Sequence, residues 1–377
     1  MTQIYWVSPS LVANAGMDKS KHNQSAKRFG LAGRWFLGIM NYITARSSTS
    51  KDARAGLPFL GSSSYGKPHL TFGQQVAHLR EKGMIIEDEA KAVSHLSQIG
   101  YYRLSAYWHP FKVRGQAGRA DSEKLKEGTR FEYILALYEY DRSLRQLILE
   151  GVEIIEVSLR VEVAYRLGQK DRFAYNRPKL LSPRFCKADV NGVSDFARWH
   201  ETYQDKLRRP NEDFTKHIID KYGQPLPIWA SVELWEFNQL SFFLSGLRHD
   251  DASAIAARYG IPCPKMFLSW VKAIKGLRNH AAHHGRIWNR NMSAQPVFPK
   301  LGVIPELDFL IEEERKIRQA RACCPLLLMD LMIRRIDPSS VWPGKLRTHV
   351  KGFPSETGMS VEQMGFVLGW PQKIQPT

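Results

Sequence analysis

Acidic residues, cysteines, long apolar runs and strand patterns are all scarce in this chain of 377 residues. Asp and Glu number 37 against 54 Lys and Arg, a formal net charge of +17. That excess disfavours a cationic partner and favours a polyanionic one, because neutralising phosphates releases their counterions. The four cysteines, Cys186, Cys263, Cys323 and Cys324, make no CxxC pair and no zinc spacing. This sets aside zinc ribbons and a disulfide framework and fits a reducing, cytoplasmic setting. The apolar stretch at 35–43 is broken by Gly38 and Asn41. It is far below the roughly 20 residues that span a bilayer, so no membrane partner is expected. The first residues, Met1 to Trp6, lack the basic n-region and apolar core of a signal peptide. No run of alternating polar and apolar residues marks a strand, and no internal repeat is visible.

What is present is helical periodicity, which makes the expected fold class all-α. Residues 1–65 read as a disordered basic extension, with eight Lys/Arg against Asp18 and Asp52 and Ser/Gly-rich segments. A short amphipathic helix near 32–45 is the exception expected there. Order is expected from about residue 67. Thr71 and Gln74 have the spacing of a capping box, with Phe72, Val76 and Leu79 behind it. Helices are predicted near 72–82, 88–99, 130–149 and 152–168. These make up an N-terminal helical part, 66–170. Residues 171–226 hold Pro178, Pro183, Pro210 and Pro225 and show weak periodicity; they read as an irregular insertion with one helix near 195–207. A second helical part, 227–340, follows, with helices near 228–246, 251–259, 264–282, 306–319 and 324–335. Residues 341–377 read as a Pro/Gly-rich tail packed on the domain.

One of these helices starts at Pro264, a residue favoured at the first helical position. It carries the apolar stripe Phe267, Trp270, Val271, Ile274 and Leu277, then ends in the densest cluster of chemistry in the chain. Arg278, Asn279, His280, His283, His284 and Arg286 fall within nine residues, and Arg290 follows. On a helix Asn279 and His283 share a face, as do His280 and His284. Three readings compete. In the first, Arg278 and His283 act on RNA. Imidazole titrates near neutrality and can move the 2′-hydroxyl proton, while a guanidinium matches phosphate oxygens. One such cluster is thin for both acid and base, and two copies across a twofold axis would supply both. In the second, His280 and His284 bind a metal, but no acid lies between Asp251 and Glu306 and HExxH is absent. No metal or cofactor is therefore expected. In the third, the cations only complement the helix dipole, with Gly285 as the residue that closes the helix.

The block from Tyr101 to Phe111 mixes aromatics with Arg103 and His109. Such mixtures stack on single-stranded RNA or fill cores. Asp141 with Arg145, and Glu156 with Arg160, have i, i+4 spacing and read most simply as helix ion pairs.

Several blocks in one order resemble the Abi-like (AbiD/AbiF) abortive-infection family of bacteria. They are Lys67-Pro68 with Phe72, Gln75 and Leu79; Tyr101 to Trp108 with Pro110-Phe111; Phe131; Leu137-Tyr138 with Tyr140-Asp141 and Leu144-Arg145; and Ile155-Glu156 with Leu159-Arg160. Leu226 to Trp229 with Glu233 follows, then Leu277-Arg278-Asn279 with His283, His284, Arg286 and Trp288-Asn289, and finally Met364 to Phe366 near Trp370. The Arg-x4-His spacing is similar to that of HEPN-type ribonucleases. The resemblance implies a HEPN-like helical bundle and a phage-defence or toxin protein that is a metal-independent endoribonuclease with a composite homodimer site. Arg278 and His283 are then catalytic, Asn279 supports them, and His284 is the alternative histidine. RNA is the expected substrate, a small non-coding RNA a further expected partner that inhibits, and Arg286, Arg290 and Arg103 the expected RNA contacts. The alternative function is a non-catalytic RNA-binding regulator using the same basic helix end.

Overall fold

The computed structural model describes residues 66, 68–113, 123–208, 213–311, 319–367 and 370. The chain divides into two units, Met1–Pro68 and His69–Thr377, and all the elements below belong to the second. The extension expected at 1–65, with its short helix, lies outside the described residues. Among the described residues no sheet forms, only isolated bridges such as Ile85 with Arg130, and the fold is all-α. No described helix is long and apolar enough to cross a membrane.

The entry to the bundle follows local rules. Helix α1, Phe72–Glu81, starts at a capping box: the Thr71 hydroxyl accepts from Gln74 N at 3.3 Å, and Gln74 Oε1 accepts from Thr71 N at 2.9 Å. Asp88 caps α2, Glu89–Ile99, by accepting from Lys91 N. Gly100, at φ 92°, turns the chain directly into α3, Tyr101–Trp108. Leu104, Tyr107 and Trp108 of α3 are buried, so most of the aromatic block is core.

The hub is α4, Phe131–Gly168, one helix of 38 residues. It replaces the two helices expected on either side of Gly151. That glycine is a point of close approach and not a stop. A Cβ there would come within 2.5 Å of the Trp342 indole, whose Nε1 donates to the Leu147 carbonyl at 2.8 Å. The roughly 1 kcal/mol that glycine costs a helix interior is offset by a tryptophan packed against bare backbone. Helices α8 (His249–Arg258), α9 (Pro264–Ala282), α10 (Cys323–Ile336) and α11 (Trp342–Lys351) all pack on α4, as does α3. Helix α10 is buried almost throughout, including Cys323 and Cys324. Of the helix expected near 306–319, only the turns Pro305–Leu307 and Asp308–Ile311 and residue 319 are described.

The 171–226 stretch is more ordered than its composition suggests. It contributes α5, Asp195–Arg208, where a helix was expected, and α6, Asp213–Tyr222, where none was. Trp199 and Tyr203 of α5 pack with Tyr175, Trp235 and Phe243 in a buried aromatic cluster beside α7, Phe237–Leu244. Its polar atoms find partners: Trp199 Nε1 donates to Gln239 O, Tyr175 OH to Leu226 O and Trp235 Nε1 to Ser231 Oγ. In the tail, α11 and the buried Met364, Phe366 and Trp370 carry the core onward.

Candidate active site

Helix α9 buries Phe267, Trp270, Val271, Ile274 and Leu277, the predicted stripe. The other side of its last two turns therefore faces outward. The helix ends at Ala282, with His283 as its C-cap. His284 then adopts φ 56°, the only positive φ of a non-glycine residue among those described. Its N–H donates to Ala281 O at 3.0 Å and Gly285 N–H to His280 O at 2.8 Å, the paired bonds of a Schellman ending. The left-handed residue is thus His284 and not Gly285 as the sequence suggested. A non-glycine residue in this region carries about 1 kcal/mol of strain, and histidine tolerates it better than most. The turn also takes His284 off the helix, so His280 and His284 no longer stack as an i, i+4 pair. Among the described residues no three His, Cys, Asp or Glu side chains group as a metal cage.

The cluster separates into three parts. Arg278 is half-buried and lines a groove of about 210 Å³ with Leu149, Glu153, Glu156 and Arg160 of α4. There Arg160 donates to Glu156 at 2.6 Å and to the Trp235 carbonyl at 3.0 Å. Burial raises the Glu156 pKa, opposed by Arg160 and Arg278. The Glu156–Arg160 pair is therefore a helix ion pair, as expected, and it also sits beside Arg278. Arg278 reaches only as far as Asn279 Oδ1 within the motif, at 3.5 Å. His283 and His284 are exposed at the helix end. His283 N–H donates to Asn279 O, so the two remain one turn apart. His280 is half-buried, its pKa lowered first by burial and then by Arg290 and His283.

The cations expected to touch RNA are placed differently from one another. Arg290 is exposed. Arg103, on α3, is exposed but donates from Nη1 to the His284 carbonyl at 2.8 Å, which joins α3 to the strained turn. Arg286 is largely withdrawn. It donates to the Ala106 carbonyl, and burial lowers its pKa despite the Asp141 carboxylate nearby.

Asp141 holds the turn in place, a role beyond the simple ion pair read from spacing. It is fully buried on α4 and accepts from Tyr107 OH at 2.7 Å, Arg145 Nη1 at 2.7 Å, Ile287 N at 3.1 Å and Trp288 N at 2.9 Å. Burial raises its pKa, and these donors oppose the rise. One carboxylate therefore ties α3, α4 and the segment leaving α9. The sequence signal was its place on the apolar stripe of α4, where an unpaired carboxylate would be costly. Arg321, donating to Asn289 O at 2.6 Å, braces the same segment and carried no such signal.

Chemically, the helix end offers two exposed imidazoles, a guanidinium in a groove and a rim of further cations. No curated protein and no solved structure matches the chain. A family model described as "Abi-like protein" matches residues 94–289. The span is 196 of 377 residues (289 − 94 + 1) and contains Arg103, Asp141, Glu156, Arg278, His283 and Arg286. The first and last resemblance blocks, near Phe72 and Trp370, lie outside it. On that match over more than half its length, the chain belongs to the Abi-like protein family.

Proposed function

We propose that this protein is an abortive-infection, phage-defence ribonuclease of HEPN type that cuts RNA without a metal. The observation that carries the reading is Arg278 and His283 presented at one braced helix end, with cations around it. In this reading the reaction is internal transfer. A base takes the 2′-hydroxyl proton, that oxygen bonds to the adjacent phosphorus, and the bond to the 5′-oxygen breaks. An acid returns a proton to the 5′-oxygen, leaving a 2′,3′-cyclic phosphate and a 5′-hydroxyl. His283 is the proton-transferring group, His284 its alternative, and Arg278 offsets charge on the phosphate. Asn279 supports His283 from the preceding turn, and Glu156 with Arg160 positions Arg278. A second copy across a twofold axis supplies the other imidazole, since one histidine cannot take and give a proton in the same step.

The test is digestion of single-stranded RNA in EDTA. Cleavage is expected to persist with chelator. Arg278→Ala and His283→Ala are each expected to lower it by roughly 10²–10⁴, the usual worth of acid–base and charge stabilisation. Full activity in either variant rejects the site, and activity abolished by EDTA rejects the mechanism. RNA that is bound yet stays intact favours the regulator reading.

A further inference from the structure

The outward face of α9 has a feature the cleavage chemistry does not use. Lys265 and Lys272 are exposed and Lys275 is half-buried. At helical spacing, Lys272 leads to Lys275, then to Asn279 and then to His283, in steps of three or four residues. The window from 252 to 305 contains eight Lys/Arg and no Asp or Glu. Elsewhere surface cations are commonly paired, as in Arg80 with Glu89, Lys82 with Glu123, Arg142 with Glu139 and Lys345 with Glu150. Along α9 no described carboxylate pairs with the three lysines. Burial lowers the Lys275 pKa, and Lys272 beside it lowers it further. A partly desolvated ammonium next to a like charge is unfavourable until an anion arrives.

We infer that the outward face of α9 is a phosphate track, on which Lys265, Lys272 and Lys275 hold the backbone of single-stranded RNA and lead it to His283. This rests on the reading of the helix end as an RNA-cleaving site. Lys272 lies about 16 Å from His283 along the helix at 1.5 Å per residue, so only an oligonucleotide can reach both. RNA is favoured over an anionic membrane because the track runs into the histidines and presents no apolar face for insertion.

The test measures binding of a single-stranded oligoribonucleotide to the full chain against salt concentration, in EDTA. Each lost phosphate contact lowers the slope of log K against log salt by about 0.7 for a single strand. Lys272→Gln with Lys275→Gln is expected to lower it by about 1.4. The control Lys216→Gln with Lys221→Gln removes the same charge from exposed sites on α6 and is expected to leave the slope unchanged. An equal fall in the control overturns the track in favour of diffuse charge. An unchanged slope in the α9 variant also overturns it, as does loss of binding to anionic phosphatidylserine vesicles without loss of RNA binding. Intact RNA with a normal α9 effect leaves the track standing and removes the nuclease reading, so the two fail separately.

Discussion

Replacing Asp141 by Asn tests whether one buried carboxylate organises the candidate site. Asn keeps an oxygen for one backbone N–H, but it removes the charge that balances Arg145, itself only 5% exposed. Breaking a buried pair from one side costs about 3–5 kcal/mol, because the other charge stays buried and uncompensated. Losing bonds to an ionised acceptor accounts for roughly 1.5–3 kcal/mol each and overlaps with that figure. The expected loss is therefore about 3–5 kcal/mol in urea unfolding, or on the order of 10 °C in Tm for a domain of this size. Hydrogen exchange supplies the local readout. The amides of Ile287 and Trp288, which donate to Asp141, are expected to lose protection more than those in the middle of α10. Adding Arg145→Met is expected to recover part of the stability, since the stranded guanidinium is then gone. A loss below about 1 kcal/mol, or unchanged protection at 287 and 288, would refute the clamp.

Two further expectations follow from particular side chains. His349 stacks on Tyr140 with ring centroids 4.1 Å apart, and burial lowers its pKa to about 4. A histidine with a depressed folded pKa contributes stability in full above its unfolded value near 6.5 and loses it as pH falls through 4. About 3 kcal/mol is expected to vanish over that window, and His349→Phe should flatten the profile; an unaltered profile would show another group is responsible. His284→Gly removes the strain of φ 56° and is expected to change stability by no more than about 1 kcal/mol, in the favourable direction. Retained RNA cleavage in that variant, set against its loss in His283→Ala, identifies His283 as the proton-transferring residue; the reverse pattern identifies His284.

Features fixed by neighbours in sequence were legible. The capping box at Thr71, the start of α9 at Pro264, its apolar stripe and the all-α class depend on spacing alone, and the structure has them. The cluster at Arg278–Arg290 was visible as residue types. Its arrangement was not, because that depends on distant partners. The break expected between 149 and 152 is absent, and Gly151 within it is the place where Trp342 packs against the helix. The left-handed turn looks as if it should fall on Gly285, yet Arg103 from α3 and the Asp141 clamp accompany a turn one residue earlier. Trp199 and Tyr203 stand four apart on α5, but their partners Tyr175, Trp235 and Phe243 come from other elements, and that gathering, which orders the 171–226 stretch, is not written in local spacing.

The bond between Asp141 and the Ile287 amide joins residues 146 positions apart in sequence. At about 5–20 residues per second of synthesis, the carboxylate waits on the order of ten seconds for its amide partners to be made. The imidazole-bearing end of α9 is made only a few residues before them, and it lacks its brace until Ile287 and Trp288 emerge. A chain terminated before that point carries the hub helix and the groove wall but no braced helix end, so translation itself delays whatever this corner does.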